Sequence, residues 1–153
     1  MGAEEKLAKL GIRLPEPPKP VAAYVPAVRV GNLIFVSGQI PMEQGELKFK
    51  GKVGKDLNVE QGYEAARLCA INALSIIKGL VGSLNKVKRV VRVTGYVNSA
   101  DGFSEQHKVL NGASEFLREI FGEKGLHSRV AVGVSGLPLD AAVEVEMIVE
   151  VED

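Results

Sequence analysis

The chain has 153 residues, 46% of them hydrophobic, which is enough to bury the core of a single folded domain. Its 19 basic and 19 acidic residues balance, which disfavours nucleic-acid binding as its main role. Cys69 is the only cysteine, so neither an intrachain disulfide nor a cysteine-based zinc site can form. No apolar run approaches the ~20 residues of a membrane span, and residues 1–6 contain no apolar signal core. We therefore expect a cytoplasmic protein that does not contact a membrane.

The N-terminal segment is predicted to be an arm rather than a domain. Residues 3–10 favour a short helix with Leu7 and Leu10 on one side. Four prolines between positions 15 and 20 favour an extended connector, because proline fixes φ and has no N–H donor. We therefore divide the chain into an arm, residues 1–20, lying on one domain formed by residues 21–153.

The domain is predicted to begin with a β-hairpin. Two β-rich runs, 28–30 and 33–37, flank Gly31 and Asn32, a pair typical of tight hairpin turns. The polar, glycine-rich stretch 46–55 then predicts a short strand inside a mobile loop.

Two long helices are predicted from apolar stripes. Asn58 and Gln61 have the spacing of a capping box at the start of the first helix. Its stripe recurs every three or four residues: Val59, Tyr63, Ala66, Ala70, Leu74, Ile77 and Val81. Cys69 lies in this helix and is expected to be a core residue rather than a reactive thiol. A second helix is predicted over about 103–121.

The remaining segments predict strands. Residues 87–97 form one, with Val91 and Val93 expected on the same side. The last 27 residues predict two neighbouring strands, over 129–135 and 143–151. With the hairpin and the helices, this order predicts an α+β fold in which two helices pack on one face of a mixed β-sheet.

The strand that contains Arg129 alternates between two kinds of side chain. Its valines are expected to face the helices, which would leave Arg129 with the small residues Ala131 and Gly133 on the uncovered face. Small residues there would leave room for a ligand or for a second subunit. Glu144 is expected on the same face of the neighbouring strand.

Arg129 and Glu144 are the candidate functional residues. A guanidinium group can bind a planar carboxylate through two parallel N–H···O bonds, and a glutamate can position or deprotonate water. The alternative is a structural one, in which the two residues form a cross-sheet or subunit-interface ion pair. His107 and His127 have no ligand-like neighbours in the sequence, and a structural role is expected for both.

Two blocks of sequence resemble the signatures of one known family. Residues 128–134, Ser-Arg-Val-Ala-Val-Gly-Val, precede Leu-Pro at 137–138 and Val-Glu-Val-Glu at 143–146. Tyr-Val at 24–25 precedes Gly-Asn-Leu-Ile-Phe-Val-Ser-Gly-Gln-Ile-Pro at 31–41. In this order the blocks resemble the RidA/YjgF family of reactive-intermediate imine deaminases, whose members also carry the name endoribonuclease L-PSP. The resemblance covers about residues 21–152 and suits a slightly longer branch of the family.

The resemblance implies a chorismate-mutase-like fold, a homotrimer with clefts between subunits, and hydrolysis of 2-imino or enamine acids to 2-keto acids and ammonia. It assigns Arg129 to the substrate carboxylate and Glu144 to the attacking water or the leaving nitrogen. Tyr24, Ser37, Gly38 and Ala131 would line the cleft. No metal or organic cofactor is expected, and the expected partners are a small imino or keto acid and further copies of the chain.

Some residues depart from the family pattern, and they leave other functions open. Ala22-Ala23 replaces the usual Gly-Pro before the tyrosine, and Ala131 and Gly133 replace cysteine and a larger polar residue. These replacements would widen the cleft and make it less polar. The main alternative is a protein of the same fold that binds a small carboxylate metabolite without converting it. A ribonuclease role is disfavoured by the zero net charge.

Overall fold

The structure is a computed structural model, and it describes residues 1–19 and 23–153. Within these residues it contains three α-helices: α1 (Ala3–Lys9), α2 (Val59–Val81) and α3 (Gln106–Phe121). It also contains seven strands: β1 (Ala27–Val30), β2 (Leu33–Gln39), β3 (Met42–Glu43), β4 (Glu46–Leu47), β5 (Val87–Asn98), β6 (Ser128–Val134) and β7 (Val143–Val151). The predicted α+β class is confirmed.

Five of the strands form one mixed sheet in the order β1-β2-β7-β5-β6. Strands β5 and β6 are parallel, and the other neighbours are antiparallel. The sequence predicted that the last two strands are neighbours, and this is wrong. After β6, the chain passes through a 3₁₀ turn at Pro138–Asp140 and inserts β7 between β2 and β5. As a result, β7 lies at the centre of the sheet and β6 at its edge.

Helix α2 begins with the predicted capping box. The Asn58 side chain accepts from the Gln61 N–H at 2.8 Å, and the Gln61 side chain accepts from the Asn58 N–H at 2.9 Å. The buried face of α2 consists largely of small residues, which allow α3 to come close. A Cβ atom placed on Gly112 of α3 would lie only 1.9 Å from the Tyr63 carbonyl oxygen of α2. The two helices therefore meet backbone to backbone at Gly112.

Strand β5 departs from simple alternation. Its register with β7 shifts between Val87 and Arg89 and again between Val90 and Arg92. These irregularities place Val90 in the core together with Val93 and Val97, whereas Val91 is only half-buried. The predicted pairing of Val91 with Val93 is wrong, because an extra residue in a strand exchanges its two faces.

The two faces of β6 are reversed relative to the prediction. Arg129, Ala131 and Gly133 pair with Val93, Gly95 and Val97, which face the helices. A Cβ atom on Gly133 would lie 2.6 Å from the Gln106 side chain of α3. Small side chains on this side of β6 therefore accommodate α3 rather than a ligand on the uncovered face.

The opposite face of the sheet is apolar and carries no helix within the described residues. Its exposed side chains include Val30 at 61%, Val28 at 50%, Phe35 at 41% and Val132 at 39%. A depression of about 170 Å³ lies on it between Phe35, Arg92, Thr94 and Ile148. An apolar sheet face of this kind is typical of a surface that another chain covers.

The described part of the arm packs on the domain. Leu7 of α1 is buried, although Leu10 is exposed. The Glu4 carboxylate accepts from Lys78 Nζ at 2.8 Å and from the Leu84 N–H at 2.7 Å. Pro17 lies against Gly79 of α2. Pro20, Val21 and Ala22 lie outside the described residues, so the boundary between arm and domain stays a prediction.

The segment predicted as a mobile loop, residues 46–55, begins with β4, which pairs with the preceding β3 in a two-stranded sheet. Beyond β4, the Lys52 ammonium donates to the Asn98 side chain at 3.2 Å and to the Ser135 carbonyl oxygen. These bonds attach the segment to the end of β5 and to the residues that follow β6. None of the helices in the described residues is long and apolar enough to cross a membrane.

Candidate functional site

Ser37 and Tyr24 are connected through the segment that precedes β1. The Ser37 hydroxyl donates to the Val25 carbonyl oxygen at 2.8 Å, and the Ser37 N–H donates to Pro26 at the same distance. These bonds hold residues 24–26 beside β2. Tyr24 is 60% exposed and is therefore presented at the surface.

Gly38 lies directly against the carboxylate of Glu144. The register between β2 and β7 shifts between Val36 and Gln39, which inserts one extra residue and changes the local direction of the strand. A Cβ atom on Gly38 would lie 2.1 Å from Glu144 Oε2. Only glycine leaves room for the carboxylate in this position. The structure thus brings Ser37, Gly38 and Glu144 together, with Tyr24 attached through its neighbour Val25.

The environment of Glu144 makes its carboxyl group a weaker acid than an ordinary glutamate. Its side chain is half-buried on the uncovered face of β7, opposite Tyr96 of β5. Burial raises the pKa of the Glu144 carboxyl, and the negative charge of Glu146 raises it further. A carboxylate whose pKa is raised is a stronger base, which suits it to accept a proton from a reacting group.

Cys69 lies in the core behind Glu144. Its thiol is fully buried, and it donates a weak hydrogen bond to the Val143 carbonyl oxygen at 3.6 Å. Burial raises the pKa of the Cys69 thiol well above its ordinary value, so the reactive thiolate is suppressed. This agrees with the core role expected for Cys69.

Arg129 is oriented by helix α3. Its Nη1 donates to Asn111 Oδ1 at 2.8 Å and to Ser114 Oγ at 3.2 Å. Its Nη2 donates to the His107 carbonyl oxygen at 3.4 Å. These contacts could not be found from strand alternation, since they depend on which face of β6 meets the helix.

The Arg129 guanidinium keeps donors available for a ligand. Both Nη1 hydrogens are used by Asn111 and Ser114. Nε and Nη2 share the opposite edge of the group, and an N–H remains on each of them without an acceptor among residues 1–19 and 23–153. Two adjacent N–H donors of this kind match the two oxygens of a carboxylate.

Arg129 and Glu144 of one chain do not form a common site. Arg129 lies beside Val93, on one side of β5, and Glu144 lies beside Tyr96, on the other side. Two strand spacings across the sheet and three residues along it separate their Cα atoms by about 14 Å. Their side chains also point to opposite faces. The predicted cross-sheet ion pair within one chain is therefore wrong, and the candidate residues lie in two separate groups, called half-sites below.

His127 has a partner that its position in the sequence did not reveal. Its Nε2 lies 2.9 Å from Ser114 Oγ, and its Nδ1 lies 2.6 Å from the Gly125 carbonyl oxygen. A depression of about 320 Å³ is lined by Ser114, Arg118, His127 and Arg129. Burial lowers the pKa of His127, and the positive charge of Arg129 lowers it further. No cluster of three potential metal-binding side chains occurs among the residues that the structure describes.

Comparisons with known proteins agree with this architecture. Residues 4–151 match the family described as "YjgF/chorismate_mutase-like, putative endoribonuclease". Protein TCP17 of Trypanosoma cruzi is 43% identical over 148 residues, which cover 96% of this chain and 92% of TCP17. The crystal structure of protein Atu1372 from Agrobacterium tumefaciens has a TM-score of 0.91 at 45% identity, covering 98% of this chain and 92% of Atu1372.

A further relative carries the name of an enzyme. The 2-iminobutanoate/2-iminopropanoate deaminase of Dermatophagoides farinae is 31% identical over 142 residues, which cover 92% of this chain and 95% of the mite protein. The family match spans both half-sites, from Tyr24 to Glu144, and includes both long helices. The chain therefore belongs to the YjgF/chorismate mutase-like family.

Proposed function

We propose that the protein hydrolyses 2-imino and enamine acids to 2-keto acids and ammonia, in clefts formed between its subunits. The observation that carries the proposal is the Arg129 guanidinium, which α3 holds through Nη1 and one Nη2 hydrogen, so that donors on Nε and Nη2 are left for a carboxylate. The relative from Dermatophagoides farinae, a 2-iminobutanoate/2-iminopropanoate deaminase, supports the choice of substrate.

The two half-sites support a cleft shared between subunits. Arg129 and Glu144 face opposite sides of the sheet and are about 14 Å apart in one chain, too far to hold a small acid between them. In our proposal, Arg129 of one subunit faces Glu144, Gly38 and Tyr24 of the next. The apolar face that carries Val30 and Phe35 would be covered in a closed homotrimer.

The proposed reaction requires a proton carrier and a water molecule. Water attacks C2 of the protonated imine, its oxygen bonds to that carbon, the C=N π pair moves to nitrogen, and one water proton passes to the Glu144 carboxylate. Glu144 then returns that proton to nitrogen, and the C–N bond breaks with its electron pair leaving on ammonia. The remaining hydroxyl passes its proton back to Glu144 as the C=O bond of the keto acid forms. An enamine first accepts a proton at C3 to become the imine. Each step is a proton transfer, the addition of water or the elimination of ammonia, so the proposal invokes neither a metal nor an organic cofactor.

Binding of the carboxylate contributes by orientation. An imine carbon is already electrophilic, so holding it beside one water molecule supplies much of the rate increase. The raised pKa of Glu144 makes its carboxylate a stronger base toward the attacking water than an ordinary glutamate.

The test combines activity with mixed assemblies. A threonine dehydratase generates the imine, and keto-acid formation is followed with Arg129→Ala, with Glu144→Gln, and with a mixture of the two chains refolded together. Each variant alone should be nearly inactive. The mixture should recover about a quarter of the parent activity, because a cleft between two subunits can then receive both intact residues.

Other results would change the proposal. A mixture that stays inactive would contradict the shared cleft. A parent protein that binds 2-oxobutanoate without accelerating imine hydrolysis would instead be the carboxylate-binding protein of the alternative hypothesis.

A further inference from the structure

A directed chain of hydrogen bonds leads away from Arg129. The Gly125 carbonyl oxygen can only accept, so the proton of the neutral His127 ring lies on Nδ1, 2.6 Å away. Nε2 is then an acceptor, and the Ser114 hydroxyl donates to it at 2.9 Å. With its proton committed to His127, Ser114 Oγ presents a lone pair to Arg129 Nη1 at 3.2 Å.

We propose that Ser114 and His127 are positioning residues that fix which edge of the Arg129 guanidinium meets the substrate carboxylate. The proposal rests on the proposed function of Arg129 as the carboxylate anchor. Ser114 and Asn111 together occupy both Nη1 hydrogens. Rotation that presented Nη1 to a ligand would break both of these bonds, so the donors left for a ligand are on Nε and on Nη2, which also donates to the His107 carbonyl oxygen.

The surroundings of His127 support its neutral form. Arg129 lies on one side of it, and Glu115 and Arg118 of α3 line the same depression. Burial and the nearby Arg129 charge lower the pKa of His127, which keeps Nε2 available as an acceptor at neutral pH. The turn at Gly122–Gly125 supplies the carbonyl that selects this tautomer.

The first test needs no substrate. Nitrogen-15 NMR of the Arg129 side chain reports whether the guanidinium rotates freely about its C–N bonds. In the parent protein, the Nη groups should be resolved, because rotation is slowed by the bonds to Asn111 and Ser114. In Ser114→Ala and His127→Leu, these signals should average. Unchanged Arg129 signals in both variants would overturn the proposal, whether or not the protein is a deaminase.

The second test separates positioning from a purely structural role. Ser114→Ala and His127→Leu should each raise KM by roughly three- to tenfold with kcat little changed, as expected for one lost hydrogen bond to the anchor. Ser114→Thr and His127→Gln retain a hydroxyl and an acceptor, respectively, and should restore the parent KM. Lys124→Gln in the same turn is the matched control, since Lys124 is exposed and is not part of this chain of bonds.

A double-mutant cycle completes the test. His127 acts on Arg129 only through Ser114, so the KM of the double variant should be no higher than that of Ser114→Ala alone. If the two substitutions raised KM by fully additive free energies, His127 would not act on Arg129 through Ser114, and this part of the proposal would be overturned. A parent that neither hydrolyses imines nor binds 2-oxobutanoate would contradict the proposed function, and the Arg129 NMR signals would still decide the positioning role.

Discussion

Gly38→Ala is expected to impair catalysis far more than folding. The added methyl group would lie 2.1 Å from Glu144 Oε2, whereas ordinary contacts begin near 3.4 Å, so the carboxylate must move by more than 1 Å. Misplacing a reacting group by about 1 Å can cost roughly a hundredfold in rate. The clash involves the end of a flexible side chain, so the stability loss should be only about 1 kcal/mol.

The assay measures imine hydrolysis and thermal unfolding on the same preparations. Keto-acid formation from dehydratase-generated imine should fall about a hundredfold in Gly38→Ala. The unfolding midpoint should fall by only about 2–4 °C for a chain of this size.

Gly136→Ala is the control for this substitution. Gly136 is exposed, and a Cβ atom there would have nothing within 4 Å, so activity and midpoint should both match the parent. If Gly38→Ala turned over imines as fast as the parent, the position of the Glu144 carboxylate would not matter for catalysis, and the reasoning would be refuted. A fall of more than about 10 °C in the unfolding midpoint would show that the clash disrupts the fold rather than only displacing the Glu144 carboxylate.

Three further substitutions test the remaining parts of the site. Arg129→Lys keeps the charge but loses the paired donors, and it should lower imine hydrolysis roughly ten- to a hundredfold with little loss of stability. Glu144→Gln should reduce turnover more than 2-oxobutanoate binding. Folding raises the pKa of Glu144, so the ionised carboxylate lowers the free energy of unfolding above that pKa. This loss of stability disappears at acidic pH, where the carboxyl is protonated in both the folded and the unfolded chain. Glu144→Gln should therefore melt higher than the parent at pH 8 but not at pH 4. Phe35→Glu places a charge on the uncovered face and should dissociate the proposed trimer in sedimentation experiments. A parent that sediments as a trimer and a variant that stays trimeric would place the interface on another surface.

The helices were predictable because their signals are local. The capping box of Asn58 and Gln61 lies within one turn, and the apolar stripe after it identifies the buried face of α2 without knowledge of any partner. The hairpin at Gly31 was predictable for the same reason, since its turn and both strands are adjacent in sequence.

The faces of β6 could not be predicted from its own residues. Alternation separates Val130 and Val132 from Arg129 and Ala131, but it does not show which set meets the helices. That depends on the position of α3 and on β6 lying at the edge of the sheet. The uncovered face is itself apolar, so the valines of β6 belong there.

The contacts of Arg129 were hidden for a related reason. Asn111 and Ser114 precede it by 18 and 15 residues, and a turn and a helix end intervene. His127 is only two residues away, yet it reaches Arg129 through Ser114 of another element. Side chains that meet only after α3 packs on the sheet leave no periodic signal in the sequence.

The close crossing of α2 and α3 at Gly112 has a consequence for variation in this protein. A Cβ atom on Gly112 would lie 1.9 Å from the Tyr63 carbonyl oxygen, a backbone atom, so no rotamer change can admit even a methyl group, and α3 would have to shift as a unit. Gly112 stands between Asn111 and Ser114, whose side chains hold Arg129. If Arg129 binds a carboxylate as proposed, a substitution at Gly112 would weaken that binding, although Gly112 is buried between two helices. A change there would then have the same effect as a defect at the proposed site, although its cause would be the spacing between the helices.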